Sequence, residues 1–227
     1  MRNSNLKKNN LHITQIMKKL ILLTILLMSF GFTVLAQDDT ETGKNELMVW
    51  GGFSPTSTSS LIGRTEDARF GIVAFRYARR FNNNDTVNLK YTIDAVPIAV
   101  MNYPDVRIPS LVINGLPIQV QNVRETRRAF GVAPLGLQVN FRPRKKYQPF
   151  VGASGGLLYF NKTTPNFVGT RFNFTADVGG GLEIKLKEKR AVTFGYKYYH
   201  VSNGDRGIEN PGFDHNIFYI GYTFFSK

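Results

Sequence analysis

The 227-residue sequence contains no cysteine. That absence excludes a disulfide-stapled scaffold, a thiolate-ligated metal centre and anchoring through a lipid-modified cysteine, so hydrogen bonds and packing must hold the fold. Histidine is scarce, and only His200 and His215 lie beyond residue 36. Acidic side chains are few, 16 against 29 basic ones, for a formal charge of +13. Past residue 36 no apolar run is long enough to cross a membrane as a helix. Neither a metal-ligand cluster, a phosphate-binding glycine loop nor a redox centre is readable, so no cofactor and no metal are expected.

What is present begins with an export signal. Lys18 and Lys19 precede the apolar stretch Leu20 to Leu35, which ends in Val34-Leu35-Ala36 before Gln37, and Met17 is an alternative start. The sequence thus predicts a signal peptide over 1–36, a short N-terminal segment over 37–45 and one domain over 46–227. Residues 1–37 hold five basic and no acidic residues, so their loss lowers the formal charge from +13 to +8. An exported basic chain that lacks the known nucleic-acid modules is expected to meet phosphorylated lipid at a membrane surface rather than nucleic acid.

Beyond residue 45 apolar side chains alternate with polar ones, the period of strands rather than helices. Val87, Leu89, Tyr91, Ile93 and Ala95 interleave with Asn88, Lys90, Thr92 and Asp94. Phe172, Phe174, Ala176 and Val178 interleave likewise with Asn173, Thr175 and Asp177. Eight such segments are expected, near 46–54, 68–81, 86–101, 126–141, 147–161, 171–186, 190–202 and 214–225. Periodicity alone fits a soluble barrel as well as a membrane barrel. Short polar joins at 82–85, 142–146 and 187–189 alternate with longer ones at 55–67, 102–125, 162–170 and 203–213, and aromatics crowd the strand ends; both features favour the membrane form. The predicted fold is all-β, an eight-stranded antiparallel up-and-down transmembrane β-barrel. Its bore is narrow enough to be filled by side chains, so Arg76, Arg80, Lys90, Asp94, Gln138, Asn140, Asp177 and Glu183 are expected to pair inside it. The Gly179-Gly180-Gly181 run is read as relief of crowding or sheet curvature.

Parity singles out one cluster. Val192, Phe194, Tyr196 and Tyr198 define a lipid face that continues by twos to His200 and Ser202. On the last strand Phe218, Ile220, Tyr222 and Phe224 define another, which steps back to Asn216 and Asp214. A hydroxyl, an imidazole and a carboxylate are thereby expected on one outward face beside a long loop, the set needed to activate serine toward an ester. Asn203, Asn210, Gly204 and the loop backbone are the expected oxyanion donors. His215 falls on the inward parity, which suits packing.

The stretch YHVSNGDRGIENPGFD, and more weakly GVAPLGLQ and FVGASGGLLYF, resembles the lipid A 3-O-deacylases of the PagL type, also called acyloxyacyl hydrolases. The resemblance covers most of the chain after the signal. It implies a His-x-Ser-Asn motif and a carboxylate twelve residues past the serine on the outside of an eight-stranded barrel. Those positions are His200, Ser202 and Asp214, with Asn210 at the oxyanion position. The family's usual glutamate is replaced by the shorter Asp214, and Glu209 misses the spacing. The implied partners are lipid A of lipopolysaccharide as substrate and outer-membrane lipid as surroundings, in the outer membrane of a Gram-negative-type bacterium. Arg107, Arg124, Arg127, Arg128 and Arg206 are candidates for lipid phosphates or plain solvated loop charges. A non-catalytic adhesion or membrane-stabilising barrel, and a phospholipase or acyltransferase, stay open as alternatives, as does a homodimer.

Overall fold

The computed structural model describes residues 45–59, 61–82, 84–105, 112–113, 116–117, 123–164, 169–187 and 190–225. The expected signal peptide, the 37–44 segment and Arg107 lie outside them. Eight long strands form the wall: β1 (Asn45–Ser54), β3 (Arg69–Arg80), β4 (Val87–Asp105), β7 (Val123–Phe141), β8 (Tyr147–Thr164), β9 (Thr170–Lys187), β10 (Arg190–Ser202) and β11 (Phe213–Phe225). Three two-residue strands, β2 (Ser57–Thr58), β5 (Val112–Ile113) and β6 (Leu116–Pro117), belong to the long connections. All pairings are antiparallel, the eight long strands pair in chain order, and β1 closes the barrel by pairing with both β3 and β11, Trp50 opposing Ala74 on one side and Gly221 on the other. Closure leaves no sheet edge, the condition for strands in hydrocarbon.

The wall is built as a membrane barrel requires. Outward positions carry exposed Leu47, Val49, Phe75, Leu89, Leu137, Val151, Phe194, Phe218 and Ile220, while Glu46, Arg76, Lys90, Asp94, Asn140 and Glu183 are buried in the bore. The alternation is not seamless. β4 and β7 shift register between Val96 and Ala99, and β7 and β8 shift between Val132 and Leu135. Pro97 and Pro134 sit at these two breaks, where a residue without an N–H costs no ladder bond. Each break exchanges the parity of the two faces: Leu89 and Ala95 face out before Pro97, Ile98 after it.

Three strands run further than the periodicity predicts. β4 reaches Asp105, β7 starts at Val123 and β8 reaches Thr164, because pairs such as Asn102 with Thr126 and Tyr103 with Glu125 continue the ladder where the side chains no longer alternate. Backbone pairing needs no apolar pattern once the strands leave lipid.

Three layers fill the bore. Near the short turns, Lys90 Nζ lies 2.7 Å from Glu46 and 3.3 Å from Glu183, and Arg80 joins Glu46 at 3.1 Å. In the middle, Arg76 grips Asp94 through two 2.7 Å bonds and donates to Gln138, while Lys197 pairs with Asp177 at 3.0 Å beneath Trp50. The expected interior pairing is therefore present. Toward the long loops the packing turns apolar: Phe70, Met101, Leu158, Phe160, Val201 and Phe213 are buried. His215 belongs to this layer, stacked on Phe70 at 4.8 Å and edge-on to Phe213 at 4.9 Å, with neither ring nitrogen hydrogen-bonded. The glycine run has a steric reason, since a Cβ on Gly179 or Gly181 would lie 2.1 Å from a β10 carbonyl oxygen.

Candidate active site

β10 and β11 run antiparallel in a register that sets Tyr198 opposite Asn216 and His200 opposite Asp214. Directly opposed side chains on one sheet face lie ~4.5–5.5 Å apart at Cβ. Here the imidazole and carboxylate close that gap: His200 Nδ1 and Asp214 Oδ1 are 2.6 Å apart. An ionised carboxylate only accepts hydrogen bonds, so Nδ1 carries the proton and Nε2 is left as a lone-pair base. Ser202 follows His200 on the same face, ~7 Å along the strand. No hydrogen bond joins Ser202 to His200 among the described residues. The structure thus brings His200 and Asp214 into contact and leaves the serine hydroxyl adjacent and unengaged.

Asp214 is outward by parity, yet it is fully buried. Its cover comes from the first long connection. Where β1 ends, β2 takes over the pairing with β11, Thr58 opposing Asp214 and Ser57 opposing His215. The chain then folds back, and the backbone N–H groups of Ile62 and Gly63 donate to Asp214 Oδ2 at 3.0 and 2.8 Å. Both carboxylate oxygens are thereby occupied. Arg64 N donates to Pro211 O at 2.7 Å and Thr65 N to Gly212 O at 3.1 Å, stapling this segment to the last long connection. Ser57 Oγ accepts from Ala68 N and donates to Thr65 O, which ties off its base.

The 203–212 loop caps the other side. Asn203 N donates to Asn210 Oδ1 at 3.1 Å, and Asn203 Nδ2 donates to Glu209 O at 2.8 Å. The backbone N–H and one side-chain N–H of Asn203 are committed to shaping the loop, and the Asn210 side-chain N–H groups have no partner among the described residues. Glu209 enters only through its carbonyl, and its side chain is exposed. Gly204 has a positive φ of 62°, and a Cβ there would lie 3.0 Å from the Phe174 ring. Gly212, also left-handed at 48°, lies against His200, whose Cε1 would be 3.3 Å from an added Cβ.

Of the candidate arginines, Arg124 and Arg127 are engaged locally, Arg124 with Asn102 and Arg127 with Thr163 O and Glu125. Arg206 instead lies over Phe174, 4.7 Å from its centroid, and Phe174 is the β9 residue opposite Ser202. Among the described residues no group of three or more His, Asp or Glu could hold a metal ion.

Residues 111–223, which include the whole 200–214 cluster, match the family model of lipid A 3-O-deacylase (PagL). The chain belongs to the lipid A 3-O-deacylase family. The fold agrees: the crystal structure of the outer membrane enzyme PagL shares 16% identity, covers 78% of this chain and 98% of its own, and superposes with a TM-score of 0.52. Neisserial surface protein A has 13% identity, 81% and 98% coverage and a TM-score of 0.46. OprG from Pseudomonas aeruginosa has 11% identity, 83% and 100% coverage and a TM-score of 0.44. No curated protein sequence matches the chain. Within this deacylase-family barrel, the contributions of Ile62, Gly63 and Gly212 escape sequence reasoning, because each acts through its backbone. The one signal for the first pair is the apolar Leu61-Ile62-Gly63 step in an otherwise polar loop.

Proposed function

We propose that the protein is an outer-membrane carboxylic-ester hydrolase that removes an ester-linked fatty-acyl chain from lipid A, with Ser202 as nucleophile, His200 as base and Asp214 as the group that orients it. The observation that carries this reading is the 2.6 Å contact of His200 Nδ1 with Asp214, on the outer wall and beside Ser202. Family membership supports the substrate class. An outward site at the long-loop end suits a lipid that reaches the enzyme sideways from the outer leaflet.

His200 Nε2 takes the Ser202 proton as Oγ bonds to the acyl carbon, and the carbonyl electron pair moves onto oxygen. The free Asn210 amide donors, with the Gly204 backbone, serve that oxyanion; Asn203 holds Asn210 in place. Collapse breaks the carbon–oxygen bond to the lipid, whose departing oxygen takes the proton from His200. Water then repeats the sequence on the acyl-serine, and a free fatty acid leaves. Asp214 keeps Nδ1 protonated and stabilises the imidazolium at each step. Arg206, shelved on Phe174 beside Ser202, is placed to meet a lipid phosphate.

A non-catalytic barrel predicts that His200, Ser202 and Asp214 are mutually out of hydrogen-bond reach; the His200–Asp214 contact runs against that, and Ser202 is adjacent without a bond to His200. Mass spectrometry of lipid A and phospholipids incubated with pure wild-type and Ser202→Ala protein tests the proposal. Loss of one acyl chain from lipid A with wild type alone is expected. Equal deacylation by both proteins overturns it, and release from phospholipid alone reassigns the substrate.

A further inference from the structure

The triad reading assigns Asp214 the task of orienting His200 and leaves unexplained what orients Asp214. A carboxylate on the outer wall of a membrane barrel would ordinarily be free to turn about its side-chain bonds, and an aspartate has less reach than a glutamate. Here it is fully buried; the Tyr198 hydroxyl lies against it, and the strap meets it through backbone. Ile62 and Gly63 give it two N–H donors, while the Ile62 side chain points away and is 65% exposed. Side-chain exposure and backbone engagement in one residue mean that the segment serves the carboxylate through its main chain.

Gly63 is fitted to that purpose. A Cβ on it would lie 2.7 Å from Phe213 Cα and 2.8 Å from Asp214 N, contacts with backbone that no rotamer change relieves. Only glycine brings the strap this close to β11. Its two ends are fixed independently, by the Arg64 and Thr65 bonds to the 211–212 carbonyls and by β2 on β11. Neither contact is needed to close the barrel, because β1 already pairs with β11 from Phe218 to Phe225.

We infer that the 61–65 strap is a positioning element for the reaction. Its Ile62 and Gly63 N–H groups clamp Asp214 Oδ2 so that Oδ1 stays on His200 Nδ1, and they allow an aspartate to do the work of a longer carboxylate. This inference rests on the triad reading above. Ile62 and Gly63 bond to the carboxylate, and neither forms a hydrogen bond with Ser202 among the described residues, so their loss is expected to alter turnover and not substrate binding.

A double-mutant cycle on pure, detergent-solubilised full-length protein tests the inference, with lipid A as substrate and folding checked by circular dichroism. Gly63→Ala lowers kcat on the order of 10- to 100-fold, the scale of a sub-ångström to 1 Å misplacement of a catalytic group, with KM unchanged. In an Asp214→Asn background the same change costs nothing further, since the clamp has no carboxylate left to orient. Ile62→Pro, which deletes one donor without adding bulk at Gly63, repeats the pattern and carries the test where Gly63→Ala does not fold. Full activity of both folded variants, or equal losses with and without the Asp214 carboxylate, overturns the inference. If Ser202→Ala is fully active the triad reading has failed instead; if it is inactive while the strap variants are normal, only the strap's role has.

Discussion

His200 and Asp214 oppose one another across β10 and β11 and touch at 2.6 Å on the outside of the barrel, whereas His215, the very next residue, is sealed inside between Phe70 and Phe213. One step along a strand separates a titratable pair at the lipid wall from a packed core ring. His215→Phe is therefore expected to keep lipid A deacylation within a few-fold of wild type, whereas His200→Ala abolishes it. Acyl release by the two purified variants is the measurement.

Asp214→Asn is expected to be severe despite its isosteric shape. Three N–H groups point at the carboxylate, from His200, Ile62 and Gly63, and a carboxamide has a single oxygen. Its NH2 must confront either the strap or the imidazole, and in the second case His200 adopts the tautomer that cannot accept the serine proton. A fall in kcat on the order of 10³- to 10⁴-fold is expected. Asp214→Glu restores the charge but forces an extra methylene into a fully buried site, at a cost of ~1–3 kcal/mol. Single-turnover acyl release should rank wild type above Asp214→Glu, and that above Asp214→Asn.

Arg206→Ala is expected to raise KM for lipid A several-fold and leave kcat nearly unchanged, since the guanidinium rests on Phe174 and not on the triad. Kinetics on phosphorylated and dephosphorylated lipid A make the check. Similar KM values for the two substrates with wild-type protein would remove Arg206 from recognition.

Inside the bore, Arg76→Leu strands the buried Asp94 without its bidentate partner. Removing one member of a buried pair costs about 3–5 kcal/mol. Urea unfolding in detergent should show that loss, and Arg76→Leu combined with Asp94→Leu should recover much of it.

Two glycines supply a paired stability test. A Cβ on outward Gly71 meets nothing within 4 Å, whereas on Gly131 it would lie 2.0 Å from Leu157 O. Gly71→Ala should leave the thermal midpoint unchanged and Gly131→Ala should lower it by several degrees, read by the loss of strand signal on heating.

Much of this was legible in the sequence because a strand has a period of two. Parity alone puts His200, Ser202 and Asp214 on one face, and it separates His215 from them. It fails where the backbone acts without its side chain. Pro97 and Pro134 exchange inside and outside in the middle of a strand, and β4, β7 and β8 pair beyond the apolar pattern. The clamp on Asp214 is two amide groups of a loop, and an amide group is common to nearly every residue type. Asn203 reads as an oxyanion donor, and its backbone N–H and one side-chain N–H hold the 203–210 turn, a matter of loop geometry that spacing does not encode.

The partners in the Asp214 clamp are 151 and 152 positions apart in the chain. They meet beside the seam where β1 pairs with β11 and closes the sheet into a cylinder. His200, Ser202 and Asp214 share one terminal hairpin, whereas the clamp on the carboxylate comes from the first long connection. On the proposed triad, the support of the carboxylate is therefore a property of the closed barrel and not of the terminal hairpin alone.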